Sequence, residues 1–175
     1  MLRNVCRATF SLLLCGVMST ASFGQLDGLY EFDAGGDGTS WDDAANWAEI
    51  LNPDGTPAGG GDPAAPPSPT ISADVPSLGL LVVDGTQAGQ TALDVSIGTD
   101  SGSGSLTITG GDLTARDVFV GSDSNGINIG LLAMTGGDLI AGDDITLGNG
   151  SAGIMTMSGG TASTNDDFAI NANSS

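Results

Sequence analysis

Two adjacent acid pairs, Asp143-Asp144 and Asp166-Asp167, are the residues of this chain whose type and spacing best suit chemistry. Two carboxyls flanking a glycosidic bond can act as general acid and as nucleophile or base. Clusters of carboxylate and carbonyl oxygens also suit calcium, which tolerates flexible geometry. Yet Asp144 and Asp167 belong to a series: the pattern Asp, apolar, variable, apolar occurs as Asp94-Val95-Ser96-Ile97, Asp117-Val118-Phe119-Val120, Asp144-Ile145-Thr146-Leu147 and Asp167-Phe168-Ala169-Ile170. A catalytic acid is needed once, whereas an acid that returns with a period marks a structural position. The chain has no histidine and no lysine, and so few groups to orient a substrate or tune a pKa. No catalytic residue is assigned, and the chain reads as non-enzymatic.

The same register favours a metal. Stacked coils would set Asp117, Asp144 and Asp167 about 4.8 Å apart, and like charges that close either splay into water or share a cation. These three are the candidate calcium ligands. No segment has the EF-hand pattern, and Gly110-Gly111-Asp112 and Gly136-Gly137-Asp138 lack the spacing of the glycine-rich calcium repeat. The glycine-rich segment from Gly98 to Gly104 has neither the lysine nor the following helix of a phosphate loop. Arg116, one residue before a repeated acid, offsets part of the acidic column.

What must position these acids is a repeat. LTITGGDLTARDVFVG from Leu106, LAMTGGDLIAGDDITLG from Leu132 and MTMSGGTASTNDDFAIN from Met155 align, with their Gly-Gly pairs 26 and 23 residues apart. Such a period is the mark of stacked coils. Apolar residues alternate within each unit, the spacing of a half-buried strand. Each coil is expected to run strand, glycine corner, short strand, polar loop, strand and polar loop. Stacking would place Leu106, Leu132 and Met155 in one column and Ile108, Met134 and Met157 in another. Repeat-like units fall near 93–104, 105–130, 131–153 and 154–175, within a β-solenoid spanning 78–175.

Ahead of the repeats the composition changes. Residues 1–24 read as a signal peptide: Arg3 and Arg7, a short apolar run from Phe10 to Met18, and small residues before Gln25. That run is too short to span a bilayer. Cys6 and Cys15 would leave with it, so the mature chain would have no thiol, disulfide or sulfur ligand. Arg116 would remain as the one cation against 21 acidic residues. Nucleic acid and anionic membrane surfaces, which need Lys and Arg, are thereby excluded as partners.

Residues 25–52 form an aromatic N-terminal cap carrying Tyr30, Phe32, Trp41 and Trp47. Ser40 to Asp43 resembles a capping box, predicting one or two helical turns from Asp42 to about Leu51. Trp41 and Trp47 have two readings: they close the end of the stack, as terminal repeats must, or they form a platform for sugar rings. All seven prolines fall between Pro53 and Pro76, which marks 53–77 as an extended loop or linker. The run Leu78 to Val83, followed by Asp84-Gly85, reads as a buried strand ending in a turn.

The W-x5-W opening with Asn46-Trp47, the proline-rich stretch leading into Ala73-Asp74-Val75-Pro76, and the repeated L-x-I-x-GG-x-L and IG elements resemble the secreted β-strand repeat proteins of planctomycetes and related bacteria. These are similar to autotransporter passenger domains with autotransporter-associated β-strand repeats. The resemblance covers about residues 29–175. It implies an all-β, right-handed parallel β-helix of about four coils, exported and tethered to the surface by a C-terminal signal. After the last strand, Asn171 to Ser175 carry no apolar anchor, and the final coil is expected to be uncapped, with an edge free to pair with another chain or to continue in a longer protein.

Two functions follow as expectations. The first is an exported, secreted or cell-surface structural or adhesive solenoid, the periplasm included, with extracellular polysaccharide or self-association through the C-terminal edge as its contacts. The second is a carbohydrate-binding or carbohydrate-active module on the same scaffold.

Overall fold

A computed structural model describes residues 28–52, 56–68, 71–76, 81–87 and 89–171. The expected signal peptide therefore lies outside the described residues, as does the segment 77–80 at the start of the expected strand from Leu78. The described elements are β1 (Gly28–Phe32), a 3-10 turn (Ala44–Asn46), β2 (Trp47–Leu51), β3 (Ile71–Val75), β4 (Leu81–Val83), β5 (Gln90–Thr91), β6 (Asp94–Thr99), β7 (Gly104–Ile108), β8 (Asp112–Ala115), β9 (Asp117–Ser122), β10 (Ile129–Ala141), β11 (Ile145–Leu147), β12 (Ala152–Thr164) and β13 (Phe168–Ile170). They wind into a parallel β-solenoid of about four coils, as the repeat requires.

One face is the seven-stranded sheet β13-β11-β9-β6-β3-β1-β2. The other two share long strands bent at the glycine pairs. The first half of β10 pairs with β7 and its second half with β8, and β12 follows β10 along its whole length with register shifts between Met134 and Asp138. The expected columns are present: Leu132 pairs with Leu106 and Met155, and Met134 with Ile108 and Met157. Further columns run Val95, Val118, Ile145, Phe168 and Ile97, Val120, Leu147, Ile170. Alternation makes this possible, because every second side chain of a strand points inward. Val95, Val118, Ile97, Val120, Ile108 and Leu139 are fully buried.

Each coil must turn out of the large sheet after its last apolar residue, and the IG glycines do this. Gly98, Gly121 and Gly148 hold φ of +71°, +82° and +84°, a region that side chains with a Cβ disfavour. The next coil also passes too close for a side chain: a Cβ on Gly121 would lie 2.6 Å from the Ala152 carbonyl.

Two local expectations are corrected. The short helical turn expected in the cap is present, but among the described residues helix is confined to Ala44–Asn46, and Trp47–Leu51 is strand β2, antiparallel to β1. The Asp43 carboxylate caps the short turn by accepting from Ala45 N–H, but pairing along β1 and burial of Trp47 draw the following residues into the sheet. The proline-rich region is more than a linker, because β3 lies inside it and joins the large sheet between β1 and β6 with Ala73 and Val75 fully buried. A two-residue strand, β5, extends the stack upstream of the first unit legible in the repeat.

Gly121→Ala combines a left-handed backbone with a carbonyl clash and should destabilise the fold by about 2 kcal/mol or more. Denaturant unfolding checks this, the midpoint being expected to fall while the far-UV spectrum of the folded protein is retained.

Candidate functional site

The repeated acids lie at the corner where each coil enters the large sheet. There each carboxylate reaches the backbone of the next coil: Asp117 Oδ1 accepts from Asp144 N–H at 3.1 Å, and Asp144 Oδ1 from Asp167 N–H at 3.0 Å. Asp94 accepts in the same way from Asp117 N–H. Carboxylates that accept charge-assisted bonds from backbone N–H groups tie successive coils together at a point between ladder strands. This explains why the acid recurs.

Arg116 serves the top of this column, with Nη2 2.6 Å from Asp94 Oδ2 and Nε 3.0 Å from Asp117 Oδ2. Burial nevertheless raises the Asp94 pKa, opposed by Arg116 and reinforced by the Asp117 charge. The lower rungs lack such a partner among the described residues. Instead, carboxylate oxygens of Asp143, Asp144 and Asp166 lie within 4.8 Å of one another. Desolvation, followed by repulsion from Asp117, Asp144 and Asp166, pushes the Asp143 pKa up. Of the three candidate calcium ligands Asp117, Asp144 and Asp167, the cluster contains one. Asp144 joins the group, while Asp117 is engaged with Arg116 and Asp144 N–H, and Asp167 stands outside it.

The tryptophans are placed differently from a sugar platform. Both rings are fully buried, which leaves no face for a pyranose and corrects that alternative reading of Trp41 and Trp47. They close the core, ring centroids 4.9 Å apart and inclined at 67°, with Phe32 edge-on to Trp47 at 5.6 Å. Trp47 Nε1 donates to the Trp41 carbonyl at 2.9 Å. Asn46, also buried, holds the loop above them: its Oδ1 accepts from Gly36 and Gly38 N–H, while its Nδ2 donates to Asp37 Oδ1 and the Ser40 carbonyl. Bonds to Asp37 from Ser40, Asn46 and Thr39 keep its carboxyl well below the usual range.

Sequence reasoning missed a group of acids outside the period. Glu31 on β1 pairs in register with Asp74 on β3, and Asp74 with Ser96 on β6. Burial, then the Glu31 charge, pushes the Asp74 pKa up to about 6 against a hydrogen bond with Ser96, with a further contribution from Asp100. The only signal was that Asp74 breaks the repeat: the matching positions are Ser96 and Phe119. Asp100 is itself tied down, accepting from Ser124 N–H at 2.7 Å. Asp123, buried one coil further on, accepts from Asn128, Asn125 and Ile127 N–H, which lowers its pKa.

No family model, curated protein or solved structure matches the chain.

Chemically, an Asp74 carboxyl whose pKa is pushed up to about 6 keeps its proton into mildly acidic pH and can serve as an acid next to the second carboxyl group of Glu31. Its folded pKa lies above the unfolded value of 3.8, so the native state binds the extra proton. Its contribution is therefore neutral below about pH 4, becomes unfavourable as pH rises from about 4 to about 6, and above that costs roughly 3 kcal/mol. Asp74→Asn should be more stable than the parent at pH 7 and should lose that advantage at pH 4. Paired thermal melts across this range check it, and a constant difference at both pH values would contradict the assignment. Asn46→Leu removes the acceptor of the Gly36 and Gly38 N–H groups and the donor to the Ser40 carbonyl, takes one of several bonds from Asp37, and should cost about 2–4 kcal/mol, read by denaturant unfolding.

Proposed function

We propose that this chain is an exported, non-enzymatic structural or adhesive protein of the extracellular or cell-surface space, with the β-solenoid as its stiff body, or as one segment of a longer repeat body. The observation that carries this reading is the use of the repeated acids as coil-to-coil backbone acceptors, with Asp117 and Asp144 holding the next rung. Periodic residues so engaged are parts of the scaffold, and a site would be announced by departure from the period. The resemblance to secreted planctomycete-type repeat proteins supports the same reading, as does the acidic composition, with a net charge of −18 that favours cations and solvent over anionic surfaces. Extracellular polysaccharide is the natural contact for such a body, through its polar loops.

A pair of acids that departs from the period favours a second reading, a carbohydrate-active module. Glu31 and Asp74 face the same side of adjacent strands, a spacing of about 4.8 Å. That strand spacing puts two carboxyl-bearing side chains next to each other, the kind of pair that retaining glycosidases use to flank a glycosidic bond. Turnover and glycan-binding assays on the protein lacking residues 1–24 separate the two. The structural reading expects no hydrolysis; saturable turnover that disappears in Asp74→Asn while the fold melts normally would establish the enzymatic one.

Calcium takes a supporting part in this proposal. Asp143, Asp144 and Asp166 offer the oxygen ligands that a hard cation accepts, and binding would relieve their mutual repulsion. Millimolar calcium is expected to raise the melting temperature, and Asp143→Asn to reduce the rise. Identical melts with calcium and with chelator would remove the ion from the account.

A further inference from the structure

A groove lies on the outside of the stack, at the corner where β8 turns into β9. Alternation sets its walls: Leu113 and Ala115 are buried, so Thr114 and Arg116 project outward. In the coil before, Thr91 pairs with Thr114, and the Leu93 carbonyl accepts from Arg116 N–H at 2.6 Å. Thr91 and Thr114 thus form one wall and Leu93 and Arg116 the other, above Ala92 and Ala115. Together these six residues line a cavity of about 210 Å³. In the following coil the exposed Ile140 is in register with Thr114 and continues the threonine wall, while Gly142 beside Arg116 adds no side chain.

The polar groups of this groove are not used up. Arg116 directs Nε and Nη2 to Asp94 and Asp117, and its Nη1 has no partner among the described residues. A guanidinium carries five N–H donors, so several remain for an acceptor. The Thr91 and Thr114 hydroxyls are likewise without a hydrogen bond among the described residues. The backbone, by contrast, is occupied: β8 lies between β5 and β10 in the sheet. An extended peptide therefore finds no open ladder here, and recognition falls to side chains.

We propose that this groove binds an uncharged, N-acetylated glycan, with one acetamido group seated in the cavity. Its carbonyl would accept from Arg116 Nη1, its methyl would lie against Leu93, Ala92 and Ala115, and the ring hydroxyls would reach Thr91 and Thr114. Size selects a substituent of this kind, because the cavity is smaller than the roughly 300–1,000 Å³ of sites that engulf a whole drug-sized ligand. Charge selects a neutral one. Asp94 and Asp117 outweigh Arg116 beside the groove, and the chain as a whole carries −18, so an anion is repelled. A cation would meet the guanidinium. The inference gives the polysaccharide contact of the structural or adhesive reading a place and a ligand class, and it rests on that reading.

Two properties follow for the binding. An uncharged ligand leaves the affinity almost unchanged between about 0.1 and about 1 M salt, where the screening length falls from about 10 to about 3 Å. A sugar that lacks the acetamido carbonyl leaves Arg116 without its acceptor, and should bind roughly tenfold more weakly or worse.

Amide chemical-shift titration of the full chain with a short N-acetylglucosamine oligomer tests this, with a glucose oligomer of the same length as the comparison. Saturable shifts are expected at Thr91, Leu93, Thr114 and Arg116 with the acetylated sugar. Thr114→Trp, at an exposed position, fills the groove and leaves the Arg116 ion pairs in place; Arg116→Gln removes the guanidinium. Each should weaken binding roughly tenfold or more with an unchanged far-UV spectrum. Saturable binding that maps elsewhere, at Glu31 and Asp74 for instance, or that survives both substitutions, overturns the groove and leaves a polysaccharide contact standing. Equal binding of the two oligomers overturns the acetamido assignment. An uncharged alanine-containing peptide that shifts these amides where the sugar does not would give the groove to a polypeptide and overturn the proposal. Absence of binding to these oligomers and to every glycan of an array overturns both the groove and the polysaccharide contact.

Discussion

No coil of this protein can satisfy itself. Each strand leaves a row of N–H and C=O groups on both sides and an apolar inner face too narrow to close alone, so every coil depends on its neighbours. Interior coils meet this by repetition: Leu132 covers Leu106 and Ile145 covers Val118. The constraint therefore reappears at the ends, and much that is not repetitive in the chain answers to it. The Trp41–Trp47–Phe32 cluster, Asn46 with its four hydrogen bonds, and the antiparallel β1–β2 pair convert an open stack into a closed one.

Electrostatics is subordinate to that stacking. A column of acids at strand spacing is unfavourable for its charges, but it supplies an acceptor to each successive backbone N–H at a corner where the sheet ladder offers none. Asp94 and Asp117 have Arg116 beside them, whereas Asp143, Asp144 and Asp166 face one another. Desolvation, and then the neighbouring acids, raise the Asp143 pKa. The pairing of Glu31 with Asp74 is of another kind, because there burial in the sheet, and then the neighbouring Glu31 charge, not the repeat, raises the Asp74 pKa.

Where the sequence repeats, it could be read almost to the residue. The columns headed by Leu106 and Ile108, the glycine corners and the turn after Val83 stand where alternation and glycine placed them. Reading failed where pairing partners are remote. Trp47–Leu51 carries a helix-like start, yet its partner is β1, which residue spacing cannot reveal. Ile71–Val75 sits among prolines, which mark loops in general, but none falls within the strand itself. The candidate site was legible in part. The periodic role of Asp117, Asp144 and Asp167 followed from alignment, whereas the grouping of Asp144 with Asp143 and Asp166 depends on how side chains splay at a corner. The Glu31–Asp74 pair was hidden because its members are 43 residues apart by numbering and join only through the β1–β3 register.

The central claim is that the aromatic N-terminal region is the sealed end of one cooperative stack. Site-resolved native-state hydrogen exchange tests it most directly. The account predicts that the amides of β1 and β2 and the Trp47 indole N–H exchange with the same free energy as the amides of β6 and β9. Cap protons exchanging about a hundredfold or more faster than those of β6 and β9 would show that the stack is stable without its cap, and would contradict the account.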